Sequence, residues 1–158
     1  MAKNYDDMKP WSAKQEKFGK RFIKRIAKWQ TFVYEKTNGR FWNTFLGAPC
    51  AILTTTGRKT GEARKTPLLF LEQDNEVVMV ASQGGFSTLP FWYLNIKANP
   101  TVHIQIGANK RKMQAREASE DEKQALWPKL DAIYEGYKEY RARTKGVREI
   151  PILIFSAL

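Results

Sequence analysis

Short polar turns between apolar runs constrain this chain more than any other feature in it. The runs Ala51 to Thr56, Lys65 to Glu72, Glu76 to Ser82, Thr101 to Ile106, Arg111 to Glu117 and Ile150 to Phe155 read as strands. Gln73-Asp74-Asn75 and Gly107-Ala108-Asn109 are the turns between two neighbouring pairs. A parallel crossover needs about a dozen residues or more, so these neighbours pair antiparallel. Two helices interrupt the strands. One starts at Thr88 or Leu89, near Ser87 and Pro90, and stops at Ala98 before Asn99-Pro100. The other runs from Glu120 into the 140s behind a capping box of Ser119 with Glu122. A mostly antiparallel sheet of six strands with few helices curls into a small barrel covered by those helices, so the class is α+β, mainly antiparallel β.

Residues 1–10 are polar and expected to be loose, and residues 11–158 fit one domain. From residue 11 to 33, Trp11, Phe18, Phe22, Ile26, Trp29 and Val33 recur at helical steps or their sums. Lys14, Lys17, Lys20, Arg21, Lys24, Arg25 and Lys28 crowd the remaining surface. The expected structure is a basic amphipathic helix whose aromatic stripe packs on the domain and whose lysines stay in water. The same charge density suits a segment lying on an anionic membrane surface.

A net charge of +11 asks for a negatively charged partner class: nucleic acid, anionic membrane or a polyanionic cofactor. Cys50 stands alone, which excludes an internal disulfide or a multi-cysteine metal site, and its apolar setting reads as a small buried hydrophobe in a reducing compartment. His103 is equally alone, so no metal is expected. It sits beside Gln105 on the polar face of a strand, a poor place for a catalytic base. No apolar run approaches the ~20 residues of a membrane span, and Met1 to Pro10 lack the apolar core of a secretory signal. The expectation is a cytoplasmic protein that can sit peripherally on the inner face of the cell membrane.

Four segments carry candidate chemistry. Gly57-Arg58-Lys59-Thr60-Gly61, with Arg64 and Lys65 beyond, joins two strands through a tight turn rich in cations suited to a phosphate. It is not a Walker loop, because Arg58 precedes Lys59 and a β-rich, proline-containing segment follows. The alternative is a solvated hairpin tip that keeps an edge soluble. Val80-Ala81-Ser82-Gln83-Gly84-Gly85 ends a strand in a polar residue and a diglycine, offering backbone N–H groups at close range. Pro90-Phe91-Trp92-Tyr93-Leu94-Asn95 can present an aromatic plane and an amide to a flat ring, although Trp92 and Tyr93 also suit a core. Tyr134, Tyr137 and Tyr140 recur by threes, either as a half-buried seam or as a phenolic wall over an active-site mouth.

In this order, Leu53 to Gly61, Thr66-Pro67-Leu68-Leu69-Phe70-Leu71, Ala81 to Gly85, Pro90 to Pro100 and Glu149-Ile150-Pro151-Ile152 closely resemble the deazaflavin-dependent nitroreductases of actinobacteria. The likeness runs from Phe18 to Phe155. It implies an FMN-binding-like split β-barrel with an N-terminal helix and two flanking helices. It also implies coenzyme F420, an 8-hydroxy-5-deazaflavin with a phosphodiester and a polyglutamate tail. By the same likeness Arg58, Lys59, Thr60 and Arg64 contact the phosphate and tail. Lys65, Thr66 and Pro67 line the approach to the ring, which lies against Val80, Ala81, Ser82, Gln83 and the Gly84-Gly85 pair on one side and Phe91, Trp92 and Asn95 on the other. Tyr137 closes over the reactive face. Leu69 stands where a nitroimidazole-reducing member has tyrosine, and Gln83 where it has lysine, so the pocket rim differs.

The implied reaction is hydride transfer from reduced F420 to a planar electrophile: a quinone, an enone or coumarin-type lactone, or a nitroaromatic. Ser82 and Tyr137 are the expected polarising groups, with Leu69, Tyr134, Tyr137 and Tyr140 facing the substrate. Rival expectations are a cofactor carrier without turnover, a basic nucleic-acid-binding barrel, and an FMN-using oxidase on the same barrel. Nucleic acid is the less favoured partner, and the oligomeric state is not legible.

Overall fold

The structure, a computed structural model, describes residues 2–158. Its strands are β1 (Thr44–Phe45), β2 (Ala48–Thr56), β3 (Ala63–Leu69), β4 (Leu71–Gln73), β5 (Glu76–Val80), β6 (Thr101–Ile106), β7 (Asn109–Glu117) and β8 (Ile152–Ala157). Helices are α1 (Ala13–Lys36), α2 (Phe91–Ala98), α3 (Glu120–Ile133) and α4 (Gly136–Thr144). All pairings are antiparallel, in the order β1-β2-β6-β7-β8-β5-β4, with β3 on the other side of β2.

The run expected as one strand from Lys65 to Glu72 is broken at Phe70. Its first half, β3, pairs with β2 from Cys50↔Leu69 to Thr56↔Ala63, and its second half, β4, pairs with β5. One bent segment therefore joins the two ends of the sheet and curls it into a barrel. Beyond the bend β3 has a strand on one side only, and this unpaired edge is the split in the barrel. The turn between β4 and β5 is a two-residue reversal with Asp74 and Asn75 both left-handed, at φ 51° and 64°. That geometry matches the twist of the flanking strands.

Alternation along the strands sends Ala51, Leu53, Val77, Met79, Val102, Ile104, Met113, Ala115, Leu153 and Phe155 into the barrel, where Trp92, Tyr93 and Ile96 of α2 join them. The opposite faces of β5 and β8 carry Val78, Val80, Ile152 and Ile154, which Leu126 and Leu130 of α3 and Tyr137 of α4 cover. The long helix expected from Glu120 into the 140s is thus two helices. Tyr134 is extended, at φ −148° and ψ 103°, and its ring folds back over Gly136, where any Cβ would collide with it.

Helix α1 starts two residues later and ends three later than the expected 11–33, behind a capping box of Ser12 with Gln15. Half of the expected stripe does not pack on the domain: Phe18 is 73% exposed, Phe22 57% and Trp29 65%, whereas Trp11, Ile26 and Val33 are half-buried. The face turned inward is instead the polar series Glu16, Gln30, Thr31 and Tyr34, also at helical spacing. These groups can be buried because most have partners. Glu16 accepts from the Ser87 N–H (2.7 Å) and hydroxyl (2.9 Å), the Gln30 amide donates to the Trp42 carbonyl, and the Tyr34 hydroxyl accepts from the Gly107 N–H at 2.8 Å. Of the first ten residues, expected to be loose, Tyr5 donates to Glu135 and the Lys9 carbonyl accepts from Arg143.

Burial acts to raise the Glu16 pKa, but the two Ser87 hydrogen bonds and nearby Lys20 outweigh it and hold the carboxyl below its ordinary value. A depressed carboxyl stabilises the fold above its unfolded pKa, and that contribution disappears as pH falls through the folded value. Glu16→Gln is therefore expected to destabilise by about 1–3 kcal/mol. It should also speed tryptic cleavage within Lys14 to Lys24, and an unchanged cleavage rate would show that α1 is held elsewhere.

Candidate active site

The basic turn is a built structure. The Gly57 N–H donates to the Glu62 carbonyl and the Gly61 N–H to that of Gly57, both at 2.7 Å, and a Cβ on Gly57 would meet Thr60 Oγ1 at 2.9 Å. Asn95 of α2 holds the turn from behind. Its Oδ1 accepts from the Arg58 N–H (3.2 Å) and guanidinium (3.4 Å), and its amide donates to Thr55 Oγ1 at 3.2 Å. The Arg58 guanidinium also lies 5.6 Å from the centroid of the exposed Phe91 ring. Arg64 pairs with Glu62 at 2.8 Å and donates to Thr60, while Lys65 pairs with Glu35 of α1 at 2.6 Å. The cations of the turn without a carboxylate partner among the described residues are thus Arg58 and Lys59.

Asn95 and Trp92, expected to face a ring ligand directly, both lie behind the surface: the Asn95 amide is committed to the basic turn, and Trp92 packs in the barrel core, 6% exposed. Asn95 thereby braces the basic turn, and Trp92 serves the barrel core. Helical spacing cannot distinguish these roles, because the inner and outer faces of an eight-residue helix are assigned only by what it packs on.

Across the split from β3, the chain leaves β5 through buried Val80 and Ala81 and turns at Ser82. Gln83, Gly84 and Gly85 are all left-handed, at φ 45°, 64° and 76°. Every carbonyl from Ala81 to Phe86 except that of Gly85 is engaged by a protein donor. The Gly85 and Phe86 N–H groups take those of Ser82 and Gln83, Trp11 Nε1 takes that of Gly84, and Arg148 takes those of Ala81, Ser82 and Phe86. The N–H groups of Ser82, Gln83 and Gly84, and the Ser82 hydroxyl, have no acceptor among the described residues. This strand end therefore offers N–H groups, as its composition suggests. The Gln83 side chain turns toward Thr88, accepting a 3.4 Å hydrogen bond from its hydroxyl.

The tyrosines meet this turn from the other side. A Cβ on Gly85 would approach Tyr140 at 3.1–3.4 Å, so glycine there permits close contact with α4. Tyr134, Tyr137 and Tyr140 form one cluster with centroid separations of 5.2–6.3 Å, and the Tyr134 and Tyr140 hydroxyls share a hydrogen bond of 2.8 Å. The Tyr137 hydroxyl has no partner among the described residues, and its side chain is 4% exposed. Burial, and secondarily Tyr134, pushes its pKa well above the ordinary phenol value. Tyr140 shifts the same way, from burial and then from its bond to Tyr134. Leu69, partly buried, packs against the core that Tyr137 shares with Val78 and Val80, so the Tyr137 ring is a core element instead of a cover over the mouth, and only its unpartnered hydroxyl end is left for a ligand.

Thr66, Pro67 and Leu68 are half-buried along the unpaired edge of β3, and Lys65 is exposed. The structure thus brings Arg58 together with Asn95 at the basic turn, sets Lys65 beside Glu35 of α1 and Thr66 to Leu69 along β3, and places the tyrosines beside the Ser82 turn. His103 is exposed on β6 as expected, whereas Gln105 is 4% exposed, its amide donating to the Gly107 carbonyl. Cys50 is buried, and burial raises its thiol to about 11. Sequence reasoning missed Glu16, Trp11 and Arg148. Nothing in the sequence separates Arg148 from the other Lys and Arg side chains, because its role comes from the carbonyls folded around it.

The profile of one family, F420H(2)-dependent quinone reductase, matches residues 26–156. Rv3178 of Mycobacterium tuberculosis is 38% identical over 106 residues, which cover 67% of this chain and 87% of that protein. The F420H(2)-dependent quinone reductase Rv1261c of the same species is 34% identical over 128 residues, 78% of this chain and 85% of its own. Among solved structures, the F420-H2 dependent reductase FDR-A superposes with a TM-score of 0.62 at 39% identity, over 72% of this chain and 98% of that one. The barrel superposes on that of the reductase, and this chain belongs to the F420H(2)-dependent quinone reductase family.

Proposed function

We propose that this chain reduces quinones with hydride from F420H2 and that the coenzyme lies along the split between β3 and the Ser82 turn. The observation that carries this reading is the pairing of an anion-ready end with an uncommitted polar lip. Arg58 and Lys59 lack carboxylate partners, and the N–H groups of Ser82 to Gly84 lack acceptors, among the described residues. These donors fit F420, whose phosphodiester and polyglutamate tail need cations and whose flat head needs hydrogen-bond donors.

Arg58 and Lys59, with Thr60 and Arg64 beside them, would hold the phosphate and tail. Lys65, Thr66, Pro67 and Val80 to Gln83 would line the ring. F420, once bound and reduced, supplies a hydride rather than single electrons. The chain's own work is to orient the acceptor, exclude water and stabilise developing negative charge. Ser82 has a free hydroxyl for this. Tyr137, kept protonated by burial, can donate a hydrogen bond to a carbonyl oxygen. Leu69, Tyr134 and Tyr140 would face the substrate, and enones, coumarin-type lactones and nitroaromatics share the planar, electrophilic character that such a wall accepts. The test is to mix the protein with F420H2 and a panel of quinones, enones and nitroaromatics and follow the return of oxidised coenzyme. No oxidation with any quinone would refute the assignment.

The outer face of α1 supports a second partner, an anionic membrane surface from which a lipophilic quinone could enter. Phe18 and Phe22 stack at 6.5 Å, Trp29 and Phe32 meet edge to face at 6.3 Å, and exposed Phe41 and Leu46 follow the helix. Lys14, Lys17, Arg21, Lys24, Arg25 and Lys28 accompany them on the helix, mostly exposed. No described helix is long and apolar enough to cross a membrane, so the expected attachment is lateral. The protein should sediment with anionic vesicles at low salt and be released as salt rises. Equal partition onto neutral and anionic vesicles would remove the electrostatic basis of this proposal.

A further inference from the structure

We propose that Arg148 is the positioning residue of this site: its guanidinium fixes the turn that carries Ser82 without itself touching coenzyme or substrate. The inference rests on reading that turn as the coenzyme's seat. The fork of Arg148 is spent on main-chain carbonyls. Nε donates to Phe86 at 2.9 Å, one terminal nitrogen to Ser82 at 2.8 Å, and the other to Glu149 at 2.9 Å and Ala81 at 3.3 Å. Ser82 and Phe86 flank the three left-handed residues Gln83, Gly84 and Gly85. A non-glycine residue at positive φ, here Gln83, is a strained conformation that persists only when its surroundings over-determine it. Arg148 grips both ends of that strained stretch.

The grip has a second jaw. Glu16 takes the N–H and hydroxyl of Ser87, one residue beyond the last carbonyl that Arg148 holds, and Trp11 takes the Gly84 carbonyl between them. A cation on carbonyls and an anion on donors thus brace one loop from opposite sides. With the carbonyls of Ala81, Ser82, Gln83, Gly84 and Phe86 occupied, the N–H groups of Ser82, Gln83 and Gly84 are the donors that the turn leaves open. A lysine could not repeat this, because only a planar fork has several donors at fixed angles.

Arg148 also lines a surface hollow of about 250 Å³ with Trp127, Thr144 and Ile150, so its position is not sealed inside the barrel. The test compares Arg148→Ala and Arg148→Lys with Arg116→Met, which removes a guanidinium from a surface pair with Glu122. In coenzyme-free protein, amide hydrogen exchange at Gly85 and Phe86 should quicken at least tenfold in both Arg148 variants while β8 and the core of β5 keep their rates. In the loaded enzyme, turnover should fall by about 100-fold, the scale of a 1 Å misplacement. Millimolar guanidinium should restore much of it to Arg148→Ala, and equal sodium chloride or methylammonium should not.

Unchanged exchange and turnover in folded variants would overturn the proposal, and so would exchange that quickens across the whole barrel with no rescue. If Arg148→Ala fails to fold, Arg148→Lys carries both the exchange and the turnover readings. A wild-type protein that oxidises no F420H2 refutes the reductase assignment instead, and the exchange measurement still decides what Arg148 does to the turn.

Discussion

Replacing Arg58 and Lys59 together by glutamate is expected to weaken F420 binding at least ~100-fold and to leave the fold intact. Each charge-assisted hydrogen bond to a phosphate or carboxylate contributes about 1.5–3 kcal/mol, so losing two corresponds to roughly two to four powers of ten. The lower end is the appropriate expectation, because both side chains are exposed and salt screens them. Stability should hardly change, since neither cation has a carboxylate partner among the described residues and the turn keeps its Gly57 and Gly61 hydrogen bonds. The Asn95 contact to the Arg58 N–H survives the substitution, whereas the one to its guanidinium does not. Fluorescence titration of the coenzyme at several salt concentrations checks this. Native affinity should fall with salt and the variant's should not, and equal affinities would rule out the basic turn as the tail's anchor.

Tyr137→Phe is expected to lower turnover by ~10–100-fold, in the range of one positioned proton donor, with little change in coenzyme affinity. The substitution is a clean probe. Phenylalanine fills the same volume in the cluster of Val78, Val80, Leu126 and Leu130, and the hydroxyl it removes has no partner among the described residues. The melting temperature should therefore stay within a few degrees, corresponding to less than about 1 kcal/mol. Because burial raises the Tyr137 pKa above the ordinary 10.0, the native hydroxyl keeps its proton at neutral and mildly alkaline pH. Turnover should show no loss from this group below about pH 10. The sign for stability follows: a raised phenol pKa means that the folded state holds its proton more tightly than the unfolded chain does. Its effect on stability is constant below the unfolded value, and stability is lost as pH rises beyond it. Full turnover in Tyr137→Phe would remove the hydroxyl from the chemistry.

The strands and the basic turn are legible in the sequence because their causes are local. Alternation, Asp74-Asn75 and the paired glycines Gly57 and Gly61 act within a few residues. The break at Phe70 is not legible, since the run from Lys65 to Glu72 carries apolar residues on both sides of it and only barrel closure requires the bend. Helix α1 misleads for a different reason. Its aromatic stripe obeys the rule for a packed face, yet the buried face is the polar one, because Glu16, Gln30 and Tyr34 meet main-chain and hydroxyl partners brought from residues 42, 87 and 107. The tyrosines are legible as a group, but their spacing by threes belongs to two helices with Tyr134 at the joint. Asn95 and Arg148 cannot be ranked from sequence. Their importance lies in partners 37 to 67 residues away, which only the fold supplies.

The central claim is that the basic turn grips the acidic tail while the Ser82 turn seats the flat head of one coenzyme. A binding cycle measures this directly, comparing native protein and the Arg58→Glu, Lys59→Glu variant against intact F420 and against its deazaflavin head without phosphodiester and tail. Native protein should prefer the intact coenzyme by about 100-fold, the variant should show almost no preference, and both should bind the bare head alike. A preference for intact F420 that survives in the variant would contradict the claim.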